Sequence, residues 1–447
     1  MNEPNTKPIN QLSRRLAEFT TSLQLESLPA KVIDNAEIAI LDCLGVAVLA
    51  ASQEIGKTII KFAQKNAAPG SCTIWGTAIM ASMRDAAFLN GTLAHGLDYD
   101  DRNHASTYTL ASSLAAAESV DGSGAKALEA FIVGREVRAS LDALFAKRSS
   151  GIGPGAKGWH SNGILGPVAS ACAASKVLGL DVEQTAAAIG LATGSCGALT
   201  RDGGTMAKPF RVGHAAATGV TCALLAEQGF TSDETALDGR FGLLEALGPL
   251  PDVVLMTLGK DLGRNFELER DIKIKPFASC TATHAGIEAM LRMVKKHEIS
   301  PAAVEFIETD LKPYPLVRQN PKRGFEGRFS MPYCLAHVLV HGRLQPNDFI
   351  NQRLEEPLMV ELIRRVRHSP DSPSVTIGLK NGNRLSESIQ TPSDLKGWEQ
   401  TTGKFNDSIR GLLSEEQGLA IIETVKRLQE TPSIRTLTRA LGRPATA

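Results

Sequence analysis

Small and apolar residues recur at three- and four-residue spacing from about residue 10 to 270, as in AAFLNGTLAHGL, GPVASACAASKVLGL and GHAAATGVTCALLAEQG. That period lays one face of a helix against a core, so a succession of helices is predicted. Alanine and glycine on the buried faces let helix axes approach closely, which suits a compact bundle. Glycine breaks near 121–124, 150–158, 194–204 and 239–242 mark loops between these helices rather than domain linkers. Past residue 270 the texture turns β-like in VEFIETDL (304–311) and VTIGLKNGNRL (375–385), the latter with the hairpin signal Asn381-Gly382. Helical stretches at 284–297, 331–341 and 355–367 are interleaved with these strands, so a smaller α+β unit is expected. Between 404 and 441 the helical period returns, in IRGLLSEEQGLAIIETVKRL, as a tail able to rejoin the first bundle.

Composition narrows the function classes. The 48 Lys+Arg balance 48 Asp+Glu, which argues against a nucleic-acid binder or a polybasic membrane adaptor. A chain of 447 residues buries enough surface to need neither disulfides nor a structural metal. Its seven cysteines are odd in number and scattered, with no CxxC pair, and read as free thiols of a reducing cytoplasm. The N-terminal MNEPNTKPINQLSRRLAEF has no apolar h-region, and runs such as 43–51 and 215–226 are shorter than the roughly 18 residues a bilayer span needs. A cytoplasmic protein without membrane or nucleic-acid partners is expected.

Four polar clusters interrupt the apolar pattern. AHGLDYDDRNHASTY (94–108) packs His95, Asp98, Asp100, Asp101, Arg102, His104 and Tyr108 into one stretch, a density costly to bury and common at sites. A solvated loop with a helix-capping Asp is the plain alternative, and no HxxxH or facial-triad spacing points to a metal. In GAKGWHSNGILGPVASA, Ser161 is the expected N-cap, and His160 then sits at the positive end of a helix dipole that favours its neutral, basic form. In TRDGGTMAKPFRVGHAA (200–216), Arg201, Lys208, Arg211 and His214 surround glycines and could hold carboxylates, although a lysine before a proline is usually just solvated. The run matches no nucleotide motif. IKPFASCTATHAGIEAM carries Lys275, Cys280 and His284, the last two four apart and so on one face of a helix. A further patch, RGFEGRFSMPYCLA (323–336), offers Arg323, Glu326, Arg328 and Tyr333.

Taken in order, LDCLG (41–45), GTLAHGLDYDD (91–101), GWHSNG (158–163), GTMAKPFRVGHAA (204–216), KPFASCTATHAGIEA (275–289) and EGRFSMPYCLA (326–336) resemble the MmgE/PrpD family over nearly the whole chain. That family includes 2-methylcitrate dehydratase, cis-aconitate decarboxylase and iminodisuccinate epimerase, which act on small polycarboxylates without a redox cofactor. The resemblance implies a mainly α protein: a large all-helical domain (1–270), an inserted α+β lid domain (271–395) and C-terminal helices (396–447) that rejoin the first domain. It also implies a homodimer and a pocket between helical domain and lid. Carried over position by position, the pocket residues are Asp98, Arg102, His104, His160, Lys208, Cys280 and Tyr333. Where the decarboxylase pattern has histidines, this chain carries Tyr108 and Cys280. Loss of those imidazoles argues against decarboxylation and water elimination.

The expected chemistry is proton movement at a carbon next to a carboxylate, with cations stabilising the charge that develops. Lys208, Arg102 and Lys275 are the candidates for that stabilisation; His160, Lys208 and Cys280 are candidates for the proton-moving pair, with Asp98 alongside. His104, Tyr108 and Tyr333 complete the substrate-binding set, and no metal or cofactor is expected. A cofactor-independent epimerase of an aminodicarboxylate such as iminodisuccinate is the leading expectation. A dehydratase or decarboxylase of a citrate-like tricarboxylate is the alternative, and a non-catalytic anion-binding scaffold is a third.

Overall fold

The computed structural model describes residues 11–145, 153–312 and 318–442, so part of the glycine break at 150–158 lies outside the described residues. Its first part is helical: α1 (Leu12–Ser22), α2 (Ala30–Ser52), α3 (Glu54–Asn66), α4 (Met83–Ala94), α5 (Ala105–Ser119), α6 (Gly124–Ser140), α7 (Ser161–Leu178), α8 (Val182–Gly194) and α9 (Ala207–Glu227). α2 and α5 are apolar or small on almost every face and are buried almost throughout, as a helix without a polar face must be. Close crossings follow from glycine. A Cβ at Gly219 of α9 would lie 2.5 Å from the Ala171 nitrogen of α7, and one at Gly213 would overlap Thr92 and the Phe88 carbonyl of α4. A small hairpin, β1 (Cys72–Thr73) with β2 (Met80–Ala81), interrupts the region read as wholly helical.

Beyond residue 274 the helices Thr281–Lys296 and Pro357–Arg365 pack on a four-stranded sheet of β3 (Val304–Thr309), β4 (Val366–His368), β5 (Ser374–Leu379) and β6 (Arg384–Ser388), in the order β4-β3-β5-β6, and the helix Met331–His341 packs on those two helices. β5 and β6 form the hairpin signalled by Asn381-Gly382, with Gly382 at φ +87°. The helix predicted over 355–367 stops at Arg365, because Val366–His368 pair in parallel with Ile307–Thr309. Strand pairing outweighs local helical period there.

Two apolar cores result. One draws on residues from Leu12 to Ile274 and again from Phe405 to Leu441; the other on residues from Ala278 to Ile377. The return is made by the helix Gly397–Ile409, which lies on α2 where Gly45 leaves room for the Phe405 ring. All seven cysteines are free thiols. Among the described residues no single helix is long and apolar enough to cross a membrane; α2 and α3 pass that test only as a pair bent by 80°.

Candidate active site

The loop between α4 and α5 is the centre of the site. Its backbone enters the left-handed region twice, at Asp98 (φ +50°) and at His104 (φ +62°), and Asp and His are among the non-glycine residues that tolerate it. These two turns fold the loop back so that its acidic and imidazole side chains converge. Asp100, fully buried, accepts from both: His95 Nδ1 lies 3.0 Å from Oδ1 and His104 Nδ1 lies 2.8 Å from Oδ2. With Nδ1–H donating to Asp100, His104 Nε2 is left as an acceptor, 3.5 Å from Lys208 Nζ.

Asp98 gathers the cations. Its Oδ1 lies 3.1 Å from Lys208 Nζ and 2.8 Å from Lys275 Nζ, and Lys275 also donates to the Asp98 carbonyl at 2.8 Å. Lys208 sits in the first turn of α9, at the end of the helix where a positive charge is disfavoured. It is 8% exposed rather than solvated, with the Phe329 ring 5.2 Å from its nitrogen. Asp98 is the compensating charge. Lys275 is completely buried, so Lys208, His104 and Cys280 form the more accessible side of the cluster and Asp98, Asp100 and Lys275 its floor.

The electrostatics follow from burial and these neighbours. Burial alone would raise the Asp98 carboxyl, but Lys208 and Lys275 outweigh it and hold it well below the usual range. Burial works against the charge of Lys275 as well, and Asp98 overcomes it, so its pKa is raised. Burial, then Lys208, lowers His104 to about 4 and carries His160 well below its ordinary value. Both imidazoles are therefore neutral near pH 7. His160, not Ser161, occupies the N-cap position of α7, and its Nδ1 is buried without a hydrogen-bond partner. Cys280 caps the helix Thr281–Lys296, and burial, then Asp98, raises its thiol, which stays protonated. His284 does not share a working face with Cys280: its Nε2 donates to the Ser279 carbonyl at 3.1 Å, and its ring meets Phe277 edge-on.

Three predicted substrate-binding residues are placed elsewhere. Arg102 turns away to pair with Asp394 and to donate to the Pro392 carbonyl at 3.2 Å, tying the loop to the segment that leads into the C-terminal helices. Tyr108 is buried between α5 and α7, with its ring 3.6 Å from where a Cβ of Gly166 would sit and its hydroxyl acted on by Arg138 rather than by the lysines. Tyr333 donates to the Asp348 carbonyl at 2.5 Å and stacks on Phe349 in the core of the smaller unit. In each case a nearer partner or an apolar slot takes the side chain.

Other residues carry more of the site than the sequence suggested. Arg135 of α6 pairs with Asp101 at 2.8 Å and with Glu267, which removes Asp101 from the cluster. Lys404 pairs with Asp42 at 2.7 Å and donates to the Tyr99 carbonyl at 2.6 Å. The available signal was a charge inside an otherwise apolar helical run: Asp42 in AILDCLGVA and Arg135 in AFIVGREV. His95, Asp98, Asp100 and His104 also place one donor atom each within 4.8 Å of one another, as a metal site would. Here the two ammonium groups on Asp98 already supply the positive charge, and both histidine Nδ1 atoms are committed to Asp100. The set reads as an ion-paired anion pocket rather than a metal cradle.

Residues 14–255 match the MmgE/PrpD N-terminal domain and residues 277–430 the MmgE/PrpD C-terminal domain. The cis-aconitate decarboxylase of Mus musculus is 27% identical, over 98% of this chain and 94% of that protein. The enzyme of the same name from Homo sapiens is likewise 27% identical, over 98% and 96%. That of Aspergillus terreus is 23% identical over 86% of each chain. With both domains matched in order across most of its length, the chain belongs to the MmgE/PrpD family.

Proposed function

We propose that this chain is a lyase that removes carbon dioxide or water from a small citrate-like tricarboxylate. The observation that carries the reading is the pair of ammonium groups on Asp98 beside a neutral His160, in a site drawn out of water. A tricarboxylate matches the cations, and Lys208, the accessible one, meets the carboxylate next to the reacting carbon. In water loss, His160 takes the proton from that carbon, the C–H electron pair forms the carbon–carbon double bond, and the hydroxyl leaves as water with a proton given by the Cys280 thiol. In decarboxylation, the bond to the departing carboxylate breaks, its electron pair stays on carbon, and an acid returns a proton there. The protonated Cys280 thiol is the group proposed for that return. The relatives named as decarboxylases support the lyase reading over the epimerase expected from the missing imidazoles. A scaffold that merely binds anions would use the lysines but have no need of a histidine kept neutral beside them.

The test is proton NMR of the purified protein in D2O with cis-aconitate, with citrate and 2-methylcitrate, and with iminodisuccinate. Loss of carbon dioxide with one deuterium on the product carbon, or loss of water, is the expected result. Exchange of deuterium with inversion, and no loss of either, would restore the epimerase; no change in any substrate would defeat both.

A further inference from the structure

Three consecutive carbonyls at the turn that carries Asp98 each accept a hydrogen bond from a different buried cation. Arg328 Nη1 donates to Leu97 O at 3.1 Å, Lys275 Nζ to Asp98 O at 2.8 Å and Lys404 Nζ to Tyr99 O at 2.6 Å. The donors come from three separate stretches: the turn Gly324–Phe329 of the smaller unit, the junction near residue 275 and the returning helix Gly397–Ile409.

Lys275 is accounted for by its pairing with the Asp98 carboxylate, but Arg328 is not explained by ion pairing. Among the described residues no carboxylate pairs with it. Its remaining bonds go to the Ala278 carbonyl at 2.7 Å and the Pro346 carbonyl at 3.1 Å, and its guanidinium lies 4.5 Å from the Phe349 ring centre. A guanidinium 2% exposed and without a carboxylate paired to it is costly to keep, so its carbonyl contacts are the place to look for its use. Those contacts join the two units: Leu97 belongs to the helical side, Ala278 and Pro346 to the other. Lys404, balanced by Asp42, lies 3.8 Å from the Tyr99 ring centre and reaches the same turn from the opposite end of the chain. Between the two gripped carbonyls stands Asp98, at φ +50°, a left-handed conformation that Asp can adopt but that its surroundings must select over the extended and helical alternatives.

We propose that Arg328 and Lys404 are positioning residues: by gripping the carbonyls on either side of Asp98 they hold its backbone in the left-handed turn that aims its carboxylate at Lys208 and Lys275. The anion pocket then forms only when the smaller unit and the returning helix are both docked on the helical unit. The inference rests on the lyase reading for its activity measurements alone.

The experiment uses the full chain with Arg328→Ala, Arg328→Lys and the charge-balanced double change Lys404→Met with Asp42→Asn. Hydrogen exchange of the peptide spanning 95–104 is followed by mass spectrometry, binding of propane-1,2,3-tricarboxylate by calorimetry, and kcat and KM on the substrate that turns over. Arg328→Ala is expected to speed exchange in that peptide at least tenfold while α7 and α9 are unchanged, to weaken tricarboxylate binding at least tenfold, and to lower kcat more than it raises KM. A groove of about 590 Å³, lined by Lys57, Lys61, Leu97, Arg328, Phe349 and Asn351 among others, reaches Arg328. Added guanidinium ion should therefore restore at least tenfold in activity to Arg328→Ala and nothing to wild type. Arg328→Lys, which keeps the charge and one donor, should fall between, and it carries the test if the alanine variant does not fold. Exchange at 95–104 and tricarboxylate affinity within twofold of wild type in the folded variants would overturn the proposal. If wild type neither binds nor converts a tricarboxylate, the lyase reading fails, and the exchange measurement still decides the positioning role.

Discussion

Replacing Asp98 by Asn removes one charge from the middle of the site and changes little else, because Asn tolerates the left-handed backbone as well as Asp. Asp98 Oδ1 lies 2.8 Å from Lys275 Nζ and 3.1 Å from Lys208 Nζ. At an effective dielectric constant of about 20 these attractions amount to about 6 and about 5 kcal/mol before the cost of desolvating the three groups. The desolvation of the lysines is not recovered when the carboxylate goes, since neither moves into water. Breaking a buried pair from one side therefore costs about 3–5 kcal/mol. Thermal melts and urea titrations should show Asp98→Asn destabilised by that order, and Lys275→Met by less, because Asp98 keeps Lys208 as a partner. The double variant should cost less than the sum by about 1–2 kcal/mol, because the Lys275 ammonium that Asp98→Asn strands is gone, while Lys208 stays unbalanced. A tricarboxylate should also raise the melting temperature of Asp98→Asn more than that of wild type, as the ligand brings back the missing negative charge. Additive single changes, or an Asp98→Asn protein as stable as wild type, would refute the view that this carboxylate balances both ammonium groups.

Other outcomes follow from the same structure. His160→Gln should lower kcat/KM by about 10²–10⁴ with secondary structure unchanged, measured by steady-state kinetics; a loss under fivefold would remove His160 from proton transfer. Gly219→Ala puts a methyl group against the α7 backbone and should cost about 1–3 kcal/mol or more in urea unfolding, whereas an unchanged midpoint would mean that the helices are not in close contact there. His284 is lowered to about 3 by burial and then Lys275, whereas the unfolded side chain takes its proton near 6.5, so it erodes stability as pH falls through that window. His284→Asn, which keeps a donor for Ser279, should flatten the fall in melting temperature between pH 6.5 and 4.5 by about one proton; parallel curves would show that the imidazole is already charged.

Helical period and the Asn-Gly turn were enough to anticipate the bundle and the β5–β6 hairpin, because both signals are local. β4 was missed because three residues after a helix become strand only through β3, more than fifty positions earlier in the chain. The same division runs through the site. Asp98, His104, Lys208 and Lys275 stood out as a dense run or as cations beside glycines, and the structure brings them together. Arg102, Tyr108 and Tyr333 lie close in sequence to such runs, yet their side chains leave for Asp394, for the slot beside Gly166 and for the Asp348 carbonyl. Direction of a side chain depends on partners that sequence spacing does not reveal. Asp42 and Lys404 show the converse, since a charge in an apolar run marks Asp42 but nothing in the sequence names its partner, and their pairing joins segments some 360 residues apart.

That pairing also orders events in time during synthesis. A ribosome delivers Asp42, the 95–104 loop and Lys208 long before it delivers Lys404, and until residue 404 emerges the Asp42 carboxylate has no cation beside it. The helical unit thus spends most of its translation with a gap along α2 where Phe405 will lie, an apolar surface open to the solvent and to other nascent chains. Closing it brings the helices after residue 396 back onto the helical unit, past the smaller unit, so a chain interrupted before Lys404 is left incomplete at the floor of its own site.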